Sequence, residues 1–505
     1  MATNDAEQLD LDKLVLSDEA RKRVEELIEE DEGAHNRYGG ALAVFLTACA
    51  VVMSLFHLYA AVEIVPAYRL RPLHVGFALV LVFLMFPSAR CFRNRLMWWD
   101  VIFALASIGI IGYILYWGDL LGDRATVPTL IDQIVGVTLI ALILEGNRRS
   151  STWILPFIVG LFIAYALFGS YLPPPWTHKD YEIARLTGSL YMTLEGIFGV
   201  AVDVSSTLII LFTIFGAFLQ FSGAGKFFID FSFATMGGKP SSAGRAVVMS
   251  SFLLGGPSGS GVATTVTIGA VAYPLLAKAG YGKEAAGGLL AAGGLGAIIS
   301  PPVLGAAAFL IAEFLRISYL DVILMATIPT ILFYLAIFIM VEIDARKFAM
   351  KSVALEKHHR PLALAKRYWY HFVSLVSIVV FMLMGYSPVL SVFYATLVTA
   401  LFSFVQSDSA LIPYDWFRGR LPWIRGLWES NFIKALEGGS VGVLNVAMTC
   451  ASAGIIVGVV TLTGLGLKFS SIVLDYADSG AQALVGLWTM LGAANTPALL
   501  HDMKL

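Results

Sequence analysis

The chain is a succession of apolar runs separated by short polar intervals. A helix needs about 20 apolar residues to cross about 30 Å of hydrocarbon. Runs approaching that length predict membrane helices over Ala41–Ala60, Leu73–Pro87, Trp98–Trp117, Ile131–Leu144 and Trp153–Tyr171. The polar stretch Leu172–Arg185, with Pro173-Pro174-Pro175-Trp176 near its start, reads as a linker. A second group follows: Ile197–Gln220, a hairpin over Arg245–Leu276, a broken segment over Glu284–Phe314, and Val322–Val341. Phe372–Met384, Val389–Phe404, Ser440–Val460 and the short Ala481–Leu491 complete the pattern.

Two of these runs are interrupted where a spanning helix should continue. Gly255-Gly256-Pro257-Ser258-Gly259-Ser260-Gly261 stands between Val247–Leu254 and Val262–Leu276. Gly293-Gly294-Leu295-Gly296-Ala297-Ile298-Ile299 runs into Ser300-Pro301-Pro302. Lipid offers no water to loose backbone groups, so a helix breaks at depth only where protein or a wet cavity compensates. Two such breaks close together in sequence point to the binding site of a transporter.

Composition fits that reading. Of 505 residues, 58% are hydrophobic and only 14% charged, which places the chain among polytopic membrane proteins. A net charge of −2 gives no basic field for nucleic acid. Cys49, Cys91 and Cys450 are too scattered for a metal site or a disulfide framework. Residues 1–38 are polar and lack the early apolar core of a signal peptide. They read as a cytoplasmic segment, either an amphipathic helix at the membrane surface or a disordered tail. Cations in the short loops set orientation. Arg21, Lys22, Arg23 and Arg37 precede the first span, Arg90, Arg93 and Arg95 follow the second, and Arg148 and Arg149 follow the fourth. The long Asp344–Tyr370 loop and the loop with Arg418, Arg420 and Arg425 fall on the same side, which predicts a cytoplasmic N-terminus. Trp98, Trp99, Tyr113, Tyr116 and Trp117 mark the interfaces.

A weak internal repeat is visible. Ile214-Phe215-Gly216, then Ser222-Gly223-Ala224-Gly225-Lys226-Phe227, recurs as Ile456-Val457-Gly458, then Thr463-Gly464-Leu465-Gly466-Leu467-Lys468-Phe469. Repeats, often inverted, are a common way to build a central transport site. The repeat places a second hairpin tip near Thr496, where the chain reads Leu491-Gly492-Ala493-Ala494-Asn495-Thr496-Pro497 and then stops at Leu505. The expectation is an incomplete second copy.

The first break carries the densest chemistry. Its glycines allow positive φ. The hydroxyls of Ser258 and Ser260, with unpaired carbonyls, can replace the hydration shell of a cation. The half-helix starting near Val262 turns its positive end toward the break, which suits a carboxylate. Thr264, Thr265 and Thr267 add hydroxyls. The competing reading is a re-entrant turn whose small residues serve only close packing. At the second break, prolines remove donors and leave carbonyls near Ser300 and Pro301 free for an ion; a plain proline kink is the alternative. Glu313 and Asp203 are ionisable groups near span ends, open to an ion or proton path or to snorkelling. His57 reads as a buried structural histidine. Gly225-Lys226 lacks the P-loop glycine and Ser/Thr, and neither Ser258 nor Ser260 has a His partner placed by the sequence. An intramembrane serine hydrolase, with His57 or His371 as base, is the distant enzyme alternative.

At these residues the chain resembles a known family. The carriers are Gly255 to Thr265, Ala291 to Pro302, Ala306 to Leu315 and Gly454 to Gly466. They look like the fused permease of tripartite ATP-independent periplasmic (TRAP) transporters, TAXI subgroup, over most of the chain from about Ala41. The resemblance implies an all-α polytopic integral membrane protein with re-entrant helices and an elevator-type transport domain. Residues 39–185 would correspond to the small membrane subunit and 186–505 to the large one. It implies import of organic anions, often carboxylates, into a bacterial or archaeal cell across the inner membrane. The coupling is to a cation gradient, usually sodium, and a periplasmic TAXI-type protein delivers the substrate. No cofactor and no catalytic residue is implied. Ser258, Gly259, Ser260, Thr264 and Thr265, with Gly296, Ser300 and Pro301, would form the ion and substrate shell. Ser258, Ser260 and Ser300 would touch sodium, and Glu313 joins the set as an in-span carboxylate. The family pattern fades after Ser479. That predicts a truncated chain with poor transport, and a non-transporting scaffold is the corresponding alternative.

Overall fold

The computed structural model describes residues 36–478, apart from 37, 237–238, 259–260, 352–360, 408–409 and 418–422. Among these the chain is helical throughout, without strands. The membrane-length helices are α1 (Gly40–Val62), α2 (Ala67–Met85), α3 (Trp98–Trp117) and α4 (Leu130–Ser150). The shorter α5 (Ile154–Leu167) leads to α6 (Val200–Phe221), which contains a π-helical turn at Ser205–Ile209. Then come α7 (Ala224–Met236), α8 (Ser242–Ser258), α9 (Gly261–Ala279), α10 (Lys283–Ile299), α11 (Ala306–Leu315) and α12 (Tyr319–Lys347). The described chain closes with α13 (Tyr370–Leu383), α14 (Pro388–Ser403), α15 (Asn431–Thr463) and α16 (Leu465–Asp478). Seven of the described helices are long and apolar enough to span a membrane.

Local chemistry explains the ends. Thr129 and Asp132 form a capping box at α4, and the hydroxyls of Ser387 and Ser430 cap α14 and α15. The predicted elements match these helices closely, with two differences. α7 was not expected; its glycine-rich start hid a helix whose Phe227, Phe228 and Phe233 are buried. α15 begins nine residues ahead of Ser440, because a capped, polar first turn precedes its apolar run. Ala481–Leu491 and the tip near Thr496 lie outside the described residues, as do almost all of residues 1–38.

Two main apolar cores form, beside a small cluster of Val248, Tyr334, Ile337 and Val341. The larger joins α1–α6 with α11, the start of α12, α13, α14 and α15. The smaller holds Ala246 and Val247 of α8, Ala272 and Leu276 of α9, and Ala286 and Leu290 of α10. Two described helices give buried residues to both, and Leu253 of α8 also packs against the larger core. α7 gives Phe227 and Phe228 to the first core and Ile229 and Phe233 to the second, and α12 gives Tyr319 and Val322 to the first and Ala345 to the second. An ion pair between Arg245 and Glu342 ties the start of α8 to the end of α12.

The two segments of the sequence repeat share a local feature. Gly223 and Gly464, 241 positions apart, both end a long helix with positive φ, at 84° and 67°. In each copy a short helix follows, α7 or α16. α6 and α15 cross antiparallel: Phe221 faces Gly438, Ile214 faces Gly439, and Gly196 faces Gly454. The helix carrying the first copy therefore runs opposite to its counterpart, the signature of an inverted repeat. Glycine makes the crossing close, since a Cβ on Gly439 would sit 2.7 Å from the Ile214 Cα.

Polar contacts fasten the first helices to this crossing. Ser54 Oγ lies 2.7 Å from Ser440 Oγ, and Thr47 donates to Glu437 at 2.8 Å. Asn147 donates to Ser452 at 2.8 Å. Asp203, open to two readings in the sequence, pairs with Arg71 at 2.9 Å. His57 is buried, as expected, and its partners are the Met53 carbonyl and His74, which in turn contacts Ser205 at 2.9 Å. The linker docks on the α15–α16 turn, where Tyr181 donates to the Leu462 carbonyl and Lys468 to the Thr177 carbonyl, each at 2.6 Å. In that linker the Ser170 hydroxyl and amide hold the Asp180 carboxyl below its usual range.

The crossing gives a direct stability test. Gly439→Ala should cost about 1–3 kcal/mol, because the added methyl meets backbone. Gly442→Ala should be close to neutral, since its nearest neighbour, Thr213 Cβ, is 4.0 Å away. Thermal unfolding of the two detergent-purified variants checks this; equal midpoints would contradict the packing.

Candidate functional site

The hairpin arms pack on α10 through glycines. A Cβ on Gly255 would sit 2.6 Å from the Ala297 Cα, and one on Gly261 would sit 3.0 Å from the Gly294 carbonyl oxygen. Gly293 receives the Ser251 side chain in the same way. Such close approach needs residues without side chains. Its result is that the end of α8, the start of α9 and the last turns of α10 lie together. Ser258 is the last residue of α8. Gly259 and Ser260 lie outside the described residues. Thr264 is fully buried on the first turn of α9. Thr265 donates to the Gly261 carbonyl at 2.8 Å and lies against Gly294. The Ser251 hydroxyl is buried with no hydrogen-bond partner, an unspent polar group on the same packing face.

The second break lies at the end of α10. Its carbonyls are less free than the prolines implied. Gly305 N–H donates to the Ile298 carbonyl at 2.7 Å, and Thr330 Oγ1 donates to the Ile299 carbonyl at 2.6 Å. Ser300 Oγ donates to the Gly296 carbonyl at 2.6 Å and lies 3.1 Å from the Tyr334 hydroxyl. The Tyr319 hydroxyl accepts from Leu304 N–H at 3.2 Å and lies 3.4 Å from the Pro302 carbonyl. The carbonyls of Gly296, Ile298 and Ile299 thus each have one partner and retain one lone pair. Lipid demands this accounting, because an unpaired buried amide or carbonyl costs several kcal/mol.

Tyr319, Thr330 and Tyr334 recur at helical spacing and share one face of α12. Reading by apolar runs missed them, since a tyrosine or threonine inside such a run looks like ordinary lining. The available signal was three hydroxyls on one stripe of a helix following a broken one.

The packing sets Thr265 against Gly294 on α10, and Ser300 reaches back to Gly296 on the same helix, with half-buried Pro301 next in the chain. Glu313 is not part of it: its side chain is exposed on α11, a helix that belongs to the first core. The histidines offered as bases for a hydrolase also lie elsewhere. His57 sits against His74 in the first core, and His371 stacks on Phe227 at 5.4 Å. Among the described residues no group of three or more His, Cys, Asp or Glu could hold a metal ion. Any cation at the breaks would meet neutral hydroxyls and carbonyls, the donors that suit a hard ion of low charge.

Comparison with known proteins places this geometry. A stretch of 109 residues is 32% identical to the 2,3-diketo-L-gulonate TRAP transporter large permease protein YiaN of Escherichia coli (strain K12), covering 22% of this chain and 26% of that protein. A stretch of 148 residues is 31% identical to the C4-dicarboxylate TRAP transporter large permease protein DctM of Vibrio cholerae serotype O1, covering 29% of this chain and 31% of that protein. The matched stretches span less than a third of either relative's length. A family model matches much further, over residues 137–497, under the description "Tripartite ATP-independent periplasmic transporter, DctM component". With that match extending over more than half of its length, the chain belongs to the DctM component family of tripartite ATP-independent periplasmic transporters.

Proposed function

We propose that the chain is the membrane permease of a binding-protein-dependent secondary transporter that imports organic anions, carboxylates foremost, on a sodium gradient. The observation that carries this reading is the glycine packing of α8 and α9, the two arms flanking the first break, on the last turns of α10 just ahead of the second break at Ser300–Pro302. The family is one of transporter permeases, which leaves no role for the serine hydrolase alternative. Both relatives are named for transport of organic acids, in keeping with a carboxylate at the positive end of α9. Ser258, Ser260 and Ser300 are assigned to sodium, with Gly259, Thr264, Thr265, Gly296 and Pro301 completing the shell. The separation of the two cores supports an elevator in which α8–α10 move against the rest. The substrate arrives on a periplasmic binding protein, assigned to the TAXI type. The N-terminus and residues 1–38 are assigned to the cytoplasm, residues 39–185 to a small-subunit-like unit and 186–505 to a large-subunit-like one.

Uptake by proteoliposomes holding the full chain and its binding protein tests the mechanism. A sodium gradient should drive accumulation of a carboxylate, and Ser300→Ala or Ser258→Ala should reduce the rate at least about tenfold, the loss of one or more good oxygen contacts. Equal uptake with choline in place of sodium would remove sodium from the reading, and no uptake under any gradient would favour a non-transporting scaffold. Orientation is tested separately. Cys91 is exposed, Cys450 buried. A membrane-impermeant maleimide should label Cys91 in inside-out vesicles and not in intact cells; the reverse pattern would invert the topology.

A further inference from the structure

We infer that Tyr334 on α12 is a positioning residue for the ion site: its hydroxyl sets the direction of the one lone pair that Ser300 has left to offer a cation. The inference rests on the assignment of Ser300 to the cation, and goes beyond it by naming a residue outside both breaks.

The argument is a count of hydrogens. Ser300 Oγ carries one, and its 2.6 Å contact is with the Gly296 carbonyl, which can only accept. That hydrogen is spent. The 3.1 Å contact with the Tyr334 hydroxyl must then run the other way, with Tyr334 donating to Ser300 Oγ. Of the two lone pairs on Ser300 Oγ, one receives this hydrogen and one remains. With its hydrogen and one lone pair both fixed, the hydroxyl has a single direction left.

The tyrosine is itself held still. Its ring meets Phe252 edge-on at 5.3 Å and Phe333 at 5.7 Å. It fills the space that Gly296 leaves, where a Cβ would come within 2.5 Å of the hydroxyl. It is 9% exposed and packs with Ile337, Val341 and Val248 in a small core of its own. One turn earlier on the same helix, the single Thr330 hydroxyl hydrogen lies between the carbonyl just before Ser300, at 2.6 Å, and the Ala326 carbonyl, at 2.7 Å. A single rigid helix thus fixes both the hydroxyl and the adjacent carbonyl of the break. Oxygens held in place before the ion arrives spare it the cost of ordering them.

Sodium alone is the probe. Unfolding midpoints of the purified full chain are recorded against sodium chloride, with choline chloride keeping ionic strength constant. In the wild type the midpoint should rise and saturate, as for any ligand of the folded state. Tyr334→Phe keeps the ring and removes the donor. It should raise the half-saturating sodium concentration about 3- to 10-fold, the worth of one net hydrogen bond. Because Tyr334 acts through Ser300, Tyr334→Phe should add nothing in a Ser300→Ala background. Should Tyr334→Phe fail to fold, Gly296→Ala, whose methyl pushes the intact hydroxyl away from Ser300, should give a loss of the same size. Tyr281→Phe is the control: it removes another buried hydroxyl, one without a partner, and should leave half-saturation unchanged.

Half-saturation in Tyr334→Phe equal to wild type, with only a lower midpoint, would make Tyr334 a packing residue and overturn the inference. So would a full additional loss in the Ser300→Ala background. A wild type that gives no response to sodium would overturn the sodium assignment itself, and the inference with it. That outcome is distinguishable from the first two because it requires no variant.

Discussion

A backbone that breaks inside a membrane must find its hydrogen bonds in protein. The organisation of this molecule follows from that constraint. α10 stops at Ile299 and the chain resumes as a helix only at Ala306, which leaves a stretch of carbonyls and amides with no helical partner. α12 supplies partners for this backbone from Tyr319 and Thr330, and Tyr334 contacts the Ser300 hydroxyl. A helix that would otherwise be an ordinary apolar span thereby acts as the solvent of the break. Its hydroxyls satisfy the broken segment and leave single lone pairs on several oxygens.

The second organising device is close approach at glycine. Gly255, Gly261, Gly293 and Gly294 let three helices meet nearly backbone to backbone at the tip of the hairpin, and Gly439 and Gly454 do the same where α6 crosses α15. The two sets serve different ends. At the crossing, the contacts join α6 and α15 into the larger core. At the hairpin, they hold a smaller core together and set the arms of the first break on the last turns of α10. Among the described helices, α7 and α12 give buried residues to both cores, and α8 touches the larger one through Leu253.

Much of this was legible in the chain. Apolar runs located nearly every membrane helix, because the thickness of the bilayer sets their length regardless of what they pack against. Both breaks could be seen in Gly255–Gly261 and Ser300–Pro302, since glycine and proline impose local backbone behaviour that lipid cannot repair. The repeat was visible at Gly223 and Gly464 because a left-handed helix end demands glycine in both copies. α7 was missed: its one turn of glycines masked a helix stabilised by tertiary burial of phenylalanines. Glu313 was included for its charge within an apolar run, and the fold turns it outward on a helix of the first core. The hydroxyls of α12 were passed over, since nothing local distinguishes a tyrosine that pairs with a broken helix from one that packs.

The sequence by itself determined what the bilayer and the backbone enforce: an all-helical membrane protein, the places where helices must stop, and the existence of two related copies. These depend on segment length and on the conformational limits of glycine and proline, which act residue by residue. The tertiary structure decided which helices pack at the breaks, which hydroxyls fill the lost hydrogen bonds and how α6 and α15 are oriented. Those outcomes depend on pairs far apart in the chain, such as Ser300 with Tyr334 and Ile214 with Gly439. A hydroxyl acquires a role only when a partner's lone pair is brought within 3 Å or so, and that distance is a property of the packed molecule.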